Sequence, residues 1–490
     1  MEKNIPLHLQ EIIFATSDLA ESKRLSKLVK EGAIRKIASK IYTPNFNDAP
    51  ETIVKRNLFM ILGRLYPKAV ISHRSAFEFA PTNSGDIFLT YTYTKNISLP
   101  GVTVHLMEGK AGLDEDVPFI EGLYASQRER AFLENMQVSR KSGAVSKTLP
   151  RKEIEDKLEQ FIRVNGNDAV NALRDKAREL SKLLDMEDEF EKLSNIISAL
   201  LSTRSSDILT SPLAAARAFG FPYDPNRIEL FNTLYTLLLK TDFEPLPDKN
   251  SSDIAYRNFA FFESYFSNYI EGTRFEIDEA KKIIETGKPM PARNDDSHDV
   301  LGTYYIVSNR TEMSITPTSP DELIKILQYR HRVMLAARTS KMPGEFKDKN
   351  NFAGDTTFVD FNLVKGTLIK GFDYYNTLTS AFAKAIFMMF MTSEIHPFLD
   401  GNGRIARVMM NAELSKAGES KIIIPNVFRD DYLLALRKLT RQGEPEIFVR
   451  AMQRVHKFSA LIHGEDFSQM REFLNSTNAF SDSSETVLKF

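Results

Sequence analysis

The chain has 490 residues, 64 Lys+Arg against 65 Asp+Glu and no cysteine, for a formal net charge of -1. That length accommodates about three domains, and 42% hydrophobic with 26% charged residues is a globular composition. Lack of cysteine excludes disulfides, thiolate zinc sites, iron–sulfur clusters and cysteine nucleophiles, so any metal must rest on oxygen or imidazole. Near-neutrality excludes a uniformly basic nucleic-acid coater but leaves room for a local basic patch.

The first twenty residues carry Glu2, Glu11 and Asp18 and lack an apolar run of signal-peptide length. The apolar stretch Ala385 to Met391 falls far short of the ~20 residues that span a bilayer. The expectation is a cytoplasmic protein with no membrane partner.

Residues 1–48 read as short helices followed by a hairpin. Thr16, Ser17 and Asp18 supply N-cap chemistry, Leu25, Leu28 and Val29 have helical spacing, and Gly32 suits a helix stop. Ile34 to Ile37 and Lys40 to Tyr42 read as two short extended pieces, so the order is that of a winged helix-turn-helix. Seven basic residues against two acids lie between Ala20 and Tyr42. Alone, such a run is most simply a solvated helix face. Joined to a wing, it predicts DNA phosphate contacts by Ser22, Lys23, Arg24, Lys27, Arg35, Lys36 and Lys40.

Val54 to Tyr66 has helical spacing, and Asp86 to Tyr93 and Val102 to Met107 read as strands split by the turn Leu99-Pro100-Gly101. With Leu28 to Tyr42 and Ile71-Ser72-His73-Arg74-Ser75-Ala76, residues 8–220 resemble the AbiEi-like antitoxin regulators. That resemblance implies an N-terminal winged helix and an operator-DNA partner. Ser139 to Ser146 reads as a hinge, and Ile154, Leu158, Phe161 and Ile162 form one stripe of a helix, with helical periodicity continuing through Leu201. Thr241 to Ser252 reads as a surface connection. From Ile254 to His463 nearly everything reads as helix, apart from a Gly/Asp/Asn-rich interruption at Pro343 to Asp360. The residues after about Asn475 are Ser/Thr/Asn-rich and read as a frayed end.

The densest cluster of chemically capable residues is His396-Pro397-Phe398-Leu399-Asp400-Gly401-Asn402-Gly403-Arg404-Ile405-Ala406-Arg407. An apolar helix with Phe382, Ile386 and Phe390 on one face leads into it, and Pro397 ends that helix near Ile395. A second helix starts near Arg404, with Ile405, Val408, Met409 and Ala412 inward and Gly418 as its stop. A Gly-rich turn feeding a helix N-terminus aims backbone N–H groups at one spot and favours an anion there. Arg404 and Arg407 share a helix face and suit phosphates, Asp400 is an oxygen ligand for Mg²⁺, and His396 titrates near neutrality and suits a general base. Gly401 to Ala406 also fits a G-x-G-x-x-A dinucleotide fingerprint, which requires a preceding strand; here a helix precedes it. A merely structural capped turn would not need all these groups together.

These residues complete the HxFx(D/E)GNGRxxR signature, and residues 250–465 resemble the Fic family. The resemblance implies an all-helical core transferring a nucleotide monophosphate, usually AMP from ATP, to a protein hydroxyl. His396 would deprotonate a Ser, Thr or Tyr hydroxyl, and Asp400 would hold Mg²⁺ at the α- and β-phosphates. Gly401, Asn402 and Gly403 would form the anion cradle, with Arg404 at the β- and Arg407 at the γ-phosphate. Phe398 would anchor the loop in the core. Ser267-Asn268-Tyr269-Ile270-Glu271-Gly272 matches the family's inhibitory (S/T)xxxE(G/N) motif, with Ser267 and Glu271 on one helix face and Gly272 at the helix end. It implies that Glu271 pairs with Arg407 and blocks a productive γ-phosphate pose; the same Glu serves AMP removal in related enzymes. Pro343 to Phe358 occupies the place of the target-docking flap, but Lys347 stands where Arg is common and the usual Pro-Pro pair is missing near Asp360-Phe361. Asn351 and Phe352 are the flap candidates. Tyr329 to Arg332, His456, His463 and the Phe259 to Phe266 aromatics read as structural.

The expected organisation is multidomain. A winged helix spans 1–48, an α+β and helical regulatory region 49–220 and a connection 221–253. An all-α Fic domain with a β-hairpin flap follows over 254–465, then a tail over 466–490. The expected function is AMP transfer from ATP to a target protein or to the chain itself, restrained by Glu271. The alternative is a toxin–antitoxin-type transcriptional regulator whose Fic half senses nucleotide or removes AMP. A homodimer is compatible with the sequence.

Overall fold

The computed structural model describes residues 10–15, 18–110, 112–203, 206–354, 356–483 and 485–490. The chain folds as two compact units, residues 1–219 and 220–490. Among the described residues, no helix is long and apolar enough to cross a membrane.

In the first unit, Asp18 caps the helix Leu19–Lys30 by accepting from the Glu21 N–H, and Gly32, at φ +71°, follows its end. Thr16 and Ser17, expected to share that cap, lie outside the described residues. The strands Arg35–Ala38 and Ile41–Thr43 pair as the expected hairpin, and Ile13–Phe14 adds a third strand against Ile41–Thr43. A strand and one helix, rather than two helices, therefore precede the hairpin among the described residues. Leu25 joins Ile13 and Ile34 in a very small core, which leaves Ser22, Lys23, Arg24 and Lys27 on the exposed side of the helix.

The next sheet has six strands in the order Lys95–Leu99, Val102–Glu108, Asp86–Tyr91, Val70–Ile71, Tyr124–Ala125, Val117–Pro118. The Leu99 to Gly101 turn joins Lys95–Leu99 to Val102–Glu108, while Asp86–Tyr91 pairs parallel with Val102–Glu108. The two strands expected from sequence are thus sheet neighbours without forming one hairpin. Lys95–Leu99 escaped notice because its exposed Lys95, Asn96 and Ser98 give it an edge-strand pattern with few apolar residues. The helical stretch expected from Val54 to Tyr66 is broken at Asn57 into Pro50–Arg56 and Leu58–Leu65, both packed on the sheet. Ser72, His73, Arg74 and Ser75 are buried, the His73 N–H and the Ser126 hydroxyl donating to Glu134, which also pairs with Arg130. This segment is an internal polar node and not a surface. The helices Arg151–Leu184, interrupted at Gly166, and Glu187–Leu200 complete the unit around Ile154, Leu158, Leu173 and Ile197.

The second unit is helical around one core. Its centre is Ala381–Ile395, uninterruptedly apolar over Ala385 to Met391 and buried on every side there. Two expectations are corrected here. The segment 221–253 is not simply a connection, because Pro225–Lys240 is a helix that puts Phe231, Leu234 and Leu238 into the core. Nor does the tail 466–490 fray after about Asn475. Phe467–Ser476 is a helix with Met470 and Leu474 buried, Ala479 and Leu488 are buried after it, and Phe480 stacks on Phe266 at 5.1 Å. Polar composition misled because a few well-spaced apolar residues suffice to dock the segment. Leu474→Ala should lower unfolding free energy by about 2–5 kcal/mol in denaturant titration; a frayed end would show no change.

The interruption at Pro343 to Asp360 contains a short antiparallel ribbon, Phe352–Ala353 against Thr356–Thr357.

Candidate active site

The site grows from the end of Ala381–Ile395. His396 caps that helix in the left-handed conformation, φ 53°, donating its backbone N–H to the Thr392 carbonyl. Its Nδ1 lies 3.0 Å from the Ser393 carbonyl. A carbonyl only accepts, so Nδ1 carries the proton of the neutral ring and Nε2 presents a lone pair. Phe358 stacks on the imidazole at 3.6 Å with a 7° tilt. Burial, aided by Lys347, pushes the His396 pKa from 6.5 down to about 4, against the Ser393 carbonyl, Glu271 and Asp400. The lone pair is therefore available at neutral pH.

The pH dependence follows in sign. The His396 ring gains a second proton, and loses its free lone pair, only when pH falls through about 4. A reaction that uses this lone pair should stay within about threefold in rate from roughly pH 5.5 to 7.5, whereas an ordinary histidine would cost about tenfold at the acid end. A pH–rate profile checks this.

Residues 397–401 turn between the two helices. The Asn402 side chain is spent on the loop itself, its Oδ1 accepting from the Phe398 N–H at 2.9 Å and its Nδ2 donating to the Phe398 carbonyl at 2.8 Å. Only its backbone remains for an anion. Phe398 is fully buried, the anchoring position expected for it. Gly401 sits at φ +73°, and a Cβ there would press on Leu335 at 3.0 Å. Asn402–Lys416 begins immediately after, so its free N–H groups face the loop. Burial pushes the Asp400 carboxyl up, but the Gly401 N–H, Arg404 and Lys341 outweigh it and hold the pKa below the ordinary value. Lys341 Nζ is 3.5 Å from Asp400 Oδ2.

Ser267, Glu271 and Gly272 close the site from the end of Asp253–Ile270. Arg407 donates to Glu271 Oε1 at 2.7 Å, to the Ser267 hydroxyl at 3.0 Å and to the Ser267 carbonyl at 2.8 Å. Burial pushes the Glu271 carboxyl up, and Arg407, with Arg404 and His396, more than offsets it, so Glu271 ends below its ordinary pKa although its side chain is 35% exposed. A Cβ on Gly403 would collide with Glu271 Oε1, so this position has to be glycine while Glu271 is seated. Two turns back from Glu271, Glu263 accepts from Asn411 Nδ2, one turn beyond Arg407, and from Lys421 Nζ in the segment after that helix, at 2.8 and 2.6 Å. The Glu271-bearing helix is thus fastened at two polar points.

Sequence reasoning missed several participants. Asp299 pairs with Arg404 at 2.8 Å and bidentately with Arg338 at 2.9 and 2.6 Å, so Arg404 is aimed by a carboxylate 105 residues away in the chain. Lys347 is buried, its pKa pushed by burial to about 8, and it donates to Asn351 Oδ1 at 2.8 Å. Asn351 in turn donates to the Phe398 carbonyl at 2.9 Å, so this flap candidate braces the loop that follows His396. Phe352, the other candidate, is 65% exposed on the ribbon. The departure noted at Lys347 was the one available signal for this bracing.

The DNA-contact candidates of the first unit are divided. Ser22, Lys23, Arg24, Lys27, Lys36 and Lys40 are exposed, but Arg35 donates to the backbone carbonyls of Asn45 and Asp48 and is committed to a loop.

A divalent cation fits this donor set in one way only. Among the described residues there is no group of three His, Asp or Glu side chains that could cage a metal. Asp400 is a single carboxylate beside an anion cradle, which suits Mg²⁺ completed by phosphate oxygens and water.

The family model of the Fic/DOC family matches residues 320–414. The protein adenylyltransferase Fic of Drosophila willistoni is 28% identical over 214 residues, covering 41% of this chain and 41% of that protein. The protein adenylyltransferase Fic of Nematostella vectensis is 30% identical over 227 residues, covering 43% and 49%. The chain thus spans less than half the length of these curated relatives. A solved structure of Fic-1 from C. elegans covers 67% of this chain and 89% of its own, at 17% identity and a TM-score of 0.37. Residues 320–414 of this chain are a Fic domain, and they carry the His396 to Arg407 loop that the geometry singles out.

Proposed function

We propose that the chain transfers AMP from ATP to a hydroxyl of a protein, itself included, and that Glu271 restrains the reaction. The observation that carries the reading is the convergence on one loop of a neutral, accepting His396 Nε2, a glycine-lined helix N-terminus and two buried arginines. The naming of the curated relatives as protein adenylyltransferases supports it.

In this reading the N–H groups at the start of Asn402–Lys416 bind phosphate oxygens, with Arg404 at the β-phosphate. Asp400 would hold Mg²⁺, which supplies charge neutralisation at the phosphates. His396 Nε2 takes the proton of a Ser, Thr or Tyr hydroxyl; the oxygen bonds to the α-phosphorus and pyrophosphate leaves. The exposed Phe352 on the ribbon offers an apolar contact for the target segment. Glu271 occupies Arg407, the cation otherwise free for the γ-phosphate. The test uses ATP labelled at the α- or the γ-phosphate with the Glu271→Gly protein. Retention of α-label alone supports AMP transfer; retention of γ-label overturns it.

A second activity rests on the exposed Lys23, Arg24 and Lys27 of Leu19–Lys30, ahead of the hairpin: binding of operator DNA by a winged-helix-like element. Gel shift with the chain's own promoter should show salt-sensitive binding that is lost when all three become alanine. Unchanged binding by that variant would overturn it.

A further inference from the structure

His331 lies in the helix Pro320–Met334 and is completely buried. Its Nδ1 is 2.9 Å from the Gly344 N–H, which can only donate, so Nδ1 accepts and the proton of the neutral ring sits on Nε2. Nε2 is 3.1 Å from the Asp400 carbonyl and donates to it. The ring lies face to face on Phe398 at 3.7 Å with a 4° tilt. One imidazole therefore touches the backbone of the cation-binding candidate, the ring that anchors the catalytic loop, and the first turn of the segment leading to the ribbon.

That segment is tied to the loop again further on. The Lys347 N–H donates to the Pro397 carbonyl at 2.9 Å, and Phe346 packs on Phe398 at 5.4 Å. His331 is the buried junction at which the two meet. Both of its hydrogen bonds are directional and of fixed polarity, so only the neutral Nε2–H ring makes the two together; a protonated ring would lose the bond from the Gly344 N–H and the other tautomer would lose both.

Resting on the function proposed above, we infer that His331 is a positioning residue: by its bond to the Asp400 carbonyl it orients the Asp400 carboxylate for Mg²⁺, and by its bond to Gly344 it sets the base of the ribbon segment. Partners that orient a metal ligand without touching the metal contribute about 10- to 100-fold to metal affinity. Asparagine at 331 can keep an acceptor near the Nδ1 position but lacks a donor reaching Asp400. Glutamine can restore that donor.

The experiment uses the full chain carrying Glu271→Gly, with His331→Asn or His331→Gln added. Calorimetry measures ATP binding with and without Mg²⁺, and thermal unfolding is followed in parallel. His331→Asn should raise the half-saturating Mg²⁺ concentration about tenfold or more while Mg²⁺-free ATP binding changes less than about threefold. His331→Gln should recover most of that loss. Unchanged Mg²⁺ dependence in His331→Asn overturns the inference. So does a parallel fall of Mg²⁺-free binding and thermal midpoint in both variants, which would mark a packing role only. A Glu271→Gly parent that binds no ATP even with Mg²⁺ overturns the proposed function itself and the inference with it.

Discussion

His396→Ala in the Glu271→Gly background should reduce adenylyl transfer about 10²- to 10⁴-fold, the usual contribution of a positioned general base. The size follows from the local geometry. Nδ1 is committed to the Ser393 carbonyl, so Nε2 is the accepting atom. Phe358 and the surrounding burial keep the ring neutral. No neighbouring group replaces it readily: Lys347 is bonded to Asn351, and Asp400 is engaged by the Gly401 N–H and Lys341. ATP binding should change little, because the cradle is built from residues 401–407. A rate assay beside a binding isotherm separates the two. Loss of binding together with rate would mean that His396 holds the loop and does not accept the proton.

Glu271→Gly should raise transfer by about 10- to 100-fold. Arg407 makes three bonds in the closed arrangement, two to Ser267 and one to Glu271. Removing the carboxylate frees one charge-assisted bond for the nucleotide, worth about 1.5–3 kcal/mol. Ser267 still holds the guanidinium in place, so the arginine is released without being lost. The Glu263–Lys421–Asn411 cluster two turns away keeps the helix docked, which predicts activation without a large drop in thermal midpoint. Glu271→Gln should give an intermediate gain, since it removes the charge but keeps a hydrogen-bonding group.

What could be read in the sequence was what lies close together along it. His396 to Arg407 is one uninterrupted loop and helix start, so its residue types at fixed spacing were enough to define the cradle. Ser267 and Glu271 are one helical turn apart, but it is the resemblance to the family's inhibitory motif, not that spacing, that implies a pairing with Arg407. Groups brought in from a distance were not legible. Nothing along the chain links Asp299 to Arg404, Phe358 to His396 or His331 to the Asp400 carbonyl; these pairs exist only once the helices pack. The same limit applies to the first sheet. The sequence pattern marked strands at Asp86 to Tyr93 and Val102 to Met107, close to the observed Asp86–Tyr91 and Val102–Glu108, but carries no information on which strand pairs with which. Composition failed at the C-terminus, where Ser, Thr and Asn surround the few residues that dock: Leu474, Phe480 and Leu488.

Intact-mass measurement of the full chain after incubation with Mg²⁺ and each nucleoside triphosphate tests the central claim most directly. The wild type, Glu271→Gly and Glu271→Gly/His396→Ala proteins are compared. The account predicts adenylyl-sized mass increments from ATP on Glu271→Gly, few on the wild type and none on the double variant. No increment on Glu271→Gly from any nucleotide, or equal increments on the double variant, would contradict it.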